Sequence, residues 1–116
     1  MVRQEKATPK RYQVRVSVNA IQNIEEITGY IAFVNQQPLN AIKVGDALFA
    51  AIERISLNPL AFKECEELPT KSKMYRRATC FSWLIIFRIR KEQIQILGVI
   101  HSSRRPSRIK SLRKIE

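Results

Sequence analysis

Met74-Tyr75-Arg76-Arg77-Ala78-Thr79, Ser82-Trp83-Leu84-Ile85-Ile86-Phe87-Arg88-Ile89-Arg90 and Ile94-Gln95-Ile96-Leu97-Gly98-Val99-Ile100-His101 are three strand-like runs separated by only two or three residues. Strands joined that tightly must be antiparallel neighbours, because a parallel crossover needs about a dozen residues or more. The middle run is almost wholly apolar, as a strand buried on both faces is. Upstream, residues 59–73 form a charged loop with prolines at 59 and 69. Before that loop, Ala41, Val44, Leu48, Ala51, Ile52 and Ile55 repeat at helical spacing, with Pro38 where a first-turn proline is tolerated and Asn58-Pro59 as the stop. Ala20, Ile24, Ile27, Ile31 and Val34 mark a second helical face that runs to about Gln37, with Asn19 offering a side-chain oxygen to the helix start. Gly45 inside the later helix costs up to about 1 kcal/mol relative to alanine, which close helix–helix approach would explain. Tyr12, Val14, Val16 and Val18 alternate with Gln13, Arg15 and Ser17, the period of a half-buried strand.

The expected fold is therefore α+β in the order β-α-α-β-β-β, a helical hairpin packed on a mostly antiparallel four-stranded sheet. Residues 1–11, polar and interrupted by Pro9, read as a disordered leader. From Ser107, Ile109, Leu112 and Ile115 recur every three residues, which fits either a short basic amphipathic helix or a disordered tail.

With 116 residues, 45% of them hydrophobic, the chain supports one domain with a real core. Its formal charge of +11 exceeds what solubility needs and points to a polyanion or an acidic protein as partner. Residues 1–60 carry 7 Lys/Arg against 5 Asp/Glu, whereas residues 61–116 carry 14 against 5, so the basic surface belongs to the second half. Cys65 and Cys80 have no CxxC spacing and read as reduced thiols, and no metal-like cluster or cofactor motif is present. The N-terminus lacks the apolar core of a signal peptide and charges interrupt every hydrophobic run, so a cytoplasmic protein with no membrane contact is expected.

Four groups of residues are candidates for chemistry. Arg76 and Arg77 are strand neighbours and point to opposite faces, so only one shares the sheet face with Arg88 or Arg90, and the sequence leaves open which. Guanidinium groups gathered there would hold phosphate or carboxylate; a solvated strand face is the plain alternative. His101, the single histidine, ends the last strand just before Arg104 and Arg105 and is either a proton carrier near neutral pH or a hydrogen-bonded structural residue. Glu66 and Glu67 could take a proton from a ribose hydroxyl or merely solvate the loop. Trp83 and Phe87 read as core.

Glu67-Leu68-Pro69-Thr70-Lys71, Met74-Tyr75-Arg76-Arg77, the Ser82–Arg88 strand and Gly98-Val99-Ile100-His101-Ser102-Ser103-Arg104-Arg105-Pro106, after a Tyr-x-Val-x-Val-Ser opening, occur in an order that resembles the RelE/ParE superfamily of type II toxin–antitoxin toxins, also called plasmid stabilisation proteins. The resemblance covers residues 12–106, leaving 107–116 as a basic tail. It implies a growth-inhibiting toxin held by a cognate antitoxin with an acidic segment, in a hetero-oligomer of toxin and antitoxin. Two activities follow from it. In the RelE-like branch the chain would be a ribosome-dependent mRNA endonuclease with His101, Glu67 and Arg77 as catalytic residues. In the ParE-like branch it would inhibit DNA gyrase without being an enzyme, through a binding surface made by Arg76, Arg77, Arg88, Arg104 and Arg105. No aromatic residue follows Phe87, although many RelE-like members stack one on a base, and the His-x-x-Arg-Arg pattern at 101–105 is more typical of the ParE-like branch. The resemblance thus favours the gyrase inhibitor. A non-toxic nucleic-acid-binding module is the reading from another class.

Overall fold

β1 (Gln13–Val16), β2 (Lys63–Glu64), β3 (Tyr75–Cys80), β4 (Trp83–Arg90) and β5 (Gln93–His101) form one sheet in the order β1-β5-β4-β3-β2. The coordinates are those of a computed structural model, which describes residues 12–104 and 106–115. The leader expected over residues 1–11 and Arg105 lie outside the described residues. β1 runs parallel to β5, and the other pairs are antiparallel. The sheet has one strand more than the four expected: β2 pairs Lys63 with Arg77 and Glu64 with Arg76, inside the stretch read as loop. A two-residue strand is too short to show alternation.

β3 and β4, and β4 and β5, are joined by the two-residue turns Phe81-Ser82 and Lys91-Glu92. Phe81 and Lys91 have φ of 53° and 55°, the left-handed backbone that turns matching the strand twist require at their first position. Alternation sends Trp83, Ile85 and Phe87 of β4 to one face and Leu84, Ile86 and Arg88 to the other, so β4 is buried on both sides as its composition predicts.

The helical hairpin covers the first face. α1 (Val18–Gly29) and α2 (Pro38–Leu57) bury Ala20, Ile24, Val44, Leu48, Ile52 and Ile55 against Ile85, Phe87, Ile94 and Ile96. A Cβ on Gly45 would lie 3.4 Å from the Thr28 methyl of α1, so the glycine marks the close approach of the two helices. Two details of α1 differ from the expectation. Its N-cap is Ser17, whose Oγ accepts from the Ala20 N–H at 3.0 Å, while Asn19 stands inside the first turn. After Gly29 the helix widens into a π-helical turn, Tyr30–Val34, closed by Asn35 N–H donating to Tyr30 O at 3.0 Å. That turn rotates Val34 off the apolar stripe, leaving it 63% exposed instead of buried.

The second face is covered as well, by elements the sequence pattern left open. α3 (Pro106–Lys110) and the 3-10 turn Ser111–Lys114 lay Ile109 and Leu112 on Leu84, Ile86, Leu97 and Ile100, joined by Cys65 and Leu68 from the loop. The tail is a packed helix, and the sheet face expected to be open is partly roofed.

β5 carries the feature that decides where side chains point. Ile86 pairs with Gly98 but Phe87 pairs with Ile96, so Leu97 is an extra residue, a β-bulge. Before it, Gln93 and Gln95 share the face of Arg88 and Arg90; after it, Val99 and His101 fall on the helix-hairpin face. The backbone there has also lost its strand neighbour, because β1 ends opposite Ile96. Side chains replace it: Ser17 Oγ and Asn19 Nδ2 both donate to Leu97 O at 3.0 Å, and Asn23 Oδ1 accepts from Val99 N–H at 2.9 Å. Gly98 is required by the same crowding, since a Cβ would come within 2.9 Å of Leu112 Cδ2 and 3.1 Å of Asn19 Nδ2. Gly98→Ala is expected to destabilise the fold by about 1–3 kcal/mol, the usual cost of overpacking. Urea denaturation checks it, and an unchanged midpoint would contradict the crowding.

Candidate functional site

The strand register builds a polar row across the sheet on the side away from the helical hairpin. Arg15 of β1 lies opposite Gln95 of β5, Gln95 opposite Arg88 of β4, and Arg88 opposite Tyr75 of β3. Gln93 and Arg90 form the next row toward the β4–β5 turn. The tail adds Arg113, Lys114 and Ile115, closing a groove of about 480 Å³ lined by five cations: Arg15, Arg88, Arg90, Arg113 and Lys114. No carboxylate lines it among the described residues.

Arg88 is its anchor. The side chain is only 6% exposed, yet its hydrogen-bond partner is the neutral Gln95, whose Oε1 accepts from Nη2. Its guanidinium carbon lies 5.9 Å from the centre of the Tyr75 ring, and that of Arg113 lies 6.0 Å from the same ring, so one buried aromatic serves two cations. A buried charge ordinarily has an ionic partner. Here five like charges converge with no carboxylate among the described residues that line the groove, and the geometry suits an incoming anion.

Of the arginines singled out from sequence, Arg88 is in this groove. Arg77, on the same face, settles which of the pair joins it there, but it sits one strand step further on, opposite Ile86. Arg76 points to the other face and is occupied: its Nε donates to Lys73 O at 2.9 Å and its Nη1 to Phe62 O at 2.9 Å and Leu60 O at 3.2 Å, pinning the 60–73 loop to β3. Glu67 approaches Cys65, whose Sγ donates to Glu67 Oε1 at 3.6 Å. Burial first, then the Glu67 charge, push the Cys65 thiol up to about 11, with Arg77 acting in the opposite sense. Burial also raises Cys80. Both thiols are protonated at neutral pH, which makes them poor nucleophiles.

His101 lies at the opposite end of β5 and, because of the bulge, on the opposite face from Arg88. Its ring meets Trp83 edge-on at 6.1 Å. Nδ1 accepts from the Ser103 N–H at 3.1 Å and lies 2.8 Å from Ser103 Oγ, so in this arrangement the neutral ring carries its proton on Nε2. Arg104 N–H donates to His101 O at 3.0 Å, which tightens the same turn. His101, Arg104 and Arg108 line a wide cleft of about 1100 Å³ with Tyr30, Lys43, Phe81 and Trp83. The structure therefore brings Arg88 and Arg90 together, sets Glu67 against Cys65, and keeps His101 from both groups.

Sequence reasoning missed Arg15, Arg113 and Lys114 because they belong to the two chain ends, which only the parallel β1–β5 pairing and the tail packing bring to β4. Alternation in residues 12–18 was the available signal for Arg15. A second surface also went unread: Tyr30, Phe33, Leu39 and Ile42 crowd the hairpin tip, with Phe33 and Leu39 more than 80% exposed and no charge between Glu26 and Lys43. Among the described residues no group of three or more His, Cys, Asp or Glu could hold a metal ion, and no helix is long and apolar enough to cross a membrane.

Two solved structures share this architecture. A chain from the chromosomal ParDE toxin–antitoxin system of P. aeruginosa superposes with a TM-score of 0.61 at 16% identity, covering 78% of this chain and 96% of that one. A chain from the toxin–antitoxin complex RelBE2 of Mycobacterium tuberculosis gives 0.50 at 19% identity, covering 79% and 99%. No curated protein matches in sequence. The fold is that of the small α+β toxins of toxin–antitoxin systems. Within that class, the model of the ParE toxin of the type II toxin–antitoxin system, parDE, matches residues 14–106, and the chain belongs to this family. It is the toxin of a type II module.

Proposed function

We propose that this toxin arrests growth by binding DNA gyrase, without cutting RNA, and that a cognate antitoxin with an acidic segment neutralises it. Family membership supports the target. The observation that favours this over a nuclease centred on the Arg88–Arg90 groove is the separation of His101 from that groove: a proton carrier must lie within hydrogen-bond reach of the bond it cleaves, and the phosphate that Arg88 and Arg90 would hold is at the other end and face of the sheet, while the cations beside His101 are Arg104, Arg108 and Lys43. The antitoxin is inferred from the toxin–antitoxin complexes of like fold and from the surface itself. The strongly basic second half steers an acidic segment, and the charge-free hairpin tip offers its apolar residues a seat.

Messenger RNA cleavage is the second reading: Glu67 and Arg77 both influence the Cys65 thiol, so both carry charge in its neighbourhood. Purified protein assayed side by side separates the two. Inhibition of gyrase supercoiling with ribosome-bound messenger RNA left intact is expected; cleaved messenger RNA with unimpaired supercoiling would overturn the gyrase reading.

A further inference from the structure

We propose that the groove formed by Arg15, Arg88, Arg90, Arg113 and Lys114 binds the phosphodiester backbone of duplex DNA, giving the toxin a nucleic-acid contact of its own. Three observations lead there. The site is built: Arg88 is held by Gln95 and the Tyr75 ring on a strand buried on both faces, so its guanidinium is fixed in position, and none of the described residues lining the groove is a carboxylate. The charge is concentrated, with five cations around about 480 Å³, room enough for a phosphate and its sugar. Guanidinium groups bind phosphate oxygens two at a time, and four of the five cations are arginines.

The lining also selects among polyanions. Single-stranded RNA is held largely by stacking its bases on exposed aromatic rings. The groove exposes none, because Tyr75 is buried beneath Arg88 and Arg113. An acidic peptide needs apolar anchors beside its carboxylates, and the groove offers only the half-buried Ile115, since the Ile94 side chain is buried in the hairpin-side core, while the exposed apolar surface lies at the hairpin tip. A duplex presents what the groove accepts, phosphates without accessible base faces. Such binding is independent of sequence and strongly dependent on salt.

The test is fluorescence anisotropy of the full chain with a labelled 20-base-pair duplex of arbitrary sequence, a single-stranded RNA of equal length and a polyglutamate peptide, over a range of salt. The groove variant is Arg15→Gln/Arg90→Gln/Lys114→Gln, all exposed positions, which spares the buried Arg88. The control removes the same charge at Lys43→Gln/Lys71→Gln/Lys110→Gln, outside the groove. The duplex is expected to bind, and the groove variant to lose at least about tenfold in affinity and roughly 2–3 units of the log–log salt slope, near 0.9 per phosphate contact. The control should lose less than about threefold. Circular dichroism verifies folding, and should the triple variant unfold, Arg90→Gln alone is expected to lower the slope by about 1. Equal losses in groove and control variants, or tighter groove-dependent binding of the RNA or of polyglutamate, would overturn the proposal. The assay contains no gyrase, so the site and the target proposed above stand or fall separately.

Discussion

Replacing Ile109 and Leu112 together by alanine is expected to destabilise the protein by about 4–10 kcal/mol, from about 2–5 kcal/mol for each large-to-small change in a packed core. A domain of this size is stable by only about 5–15 kcal/mol, so the double variant should be close to unfolded. Both side chains are buried on Leu84, Ile86, Leu97 and Ile100, and removing them opens the sheet face opposite the hairpin to water. Urea denaturation and binding of an apolar dye give the measurement. A shift below about 1 kcal/mol would show that the tail is an appendage and not the lid of a second core.

Expression of the chain alone is expected to lower viable counts by orders of magnitude, co-expression of the antitoxin to restore them, and His101→Ala to arrest growth as strongly as the parent. The reasoning runs from the bulge at Leu97. It places His101 with Trp83 on the hairpin side, bound to Ser103, where its loss removes one turn contact and no contact with the arginine groove. Were His101 the proton carrier of a nuclease, its loss would lower the rate by about 10²–10⁴ and abolish the arrest. Growth of cells making folded His101→Ala protein, with messenger RNA cut by the parent alone, would exclude the gyrase reading. Normal growth on the parent protein at verified soluble levels would contradict toxicity itself.

How far the sequence is legible depends on how local each feature is. The order of elements, the two hairpins and the double burial of β4 follow from runs of like residues and short spacings, and the structure has them all. The start of α1 was displaced by two residues because Ser17 and Asn19 are both good caps, and both side chains also bond Leu97 O, 80 and 78 positions away in the chain, which the sequence does not reveal. The two-residue β2 and the π-helical turn leave no periodic trace. For the site, Arg88 and Arg90 were legible as charges within an apolar strand, but Arg15, Arg113 and Lys114 come from distant parts of the chain. The position of His101 rested on the bulge, for which Gly98 inside a strand was the single available sign.

That same pairing of first strand with last constrains when the molecule comes into being. Gln13 of β1 meets Gln93 of β5, so the parallel edge cannot form until 80 further residues have been made. At typical synthesis rates of about 5–20 residues per second, that is a delay of roughly 4–16 s. During it the hairpin has no complete sheet to rest on, and neither Arg15 nor the tail has reached Arg88. Pairing across 80 residues is the kind of non-local contact that slows folding. The basic groove, which draws on Arg15, Arg88 and Arg113, is therefore assembled only after residues 13–113 have all been made.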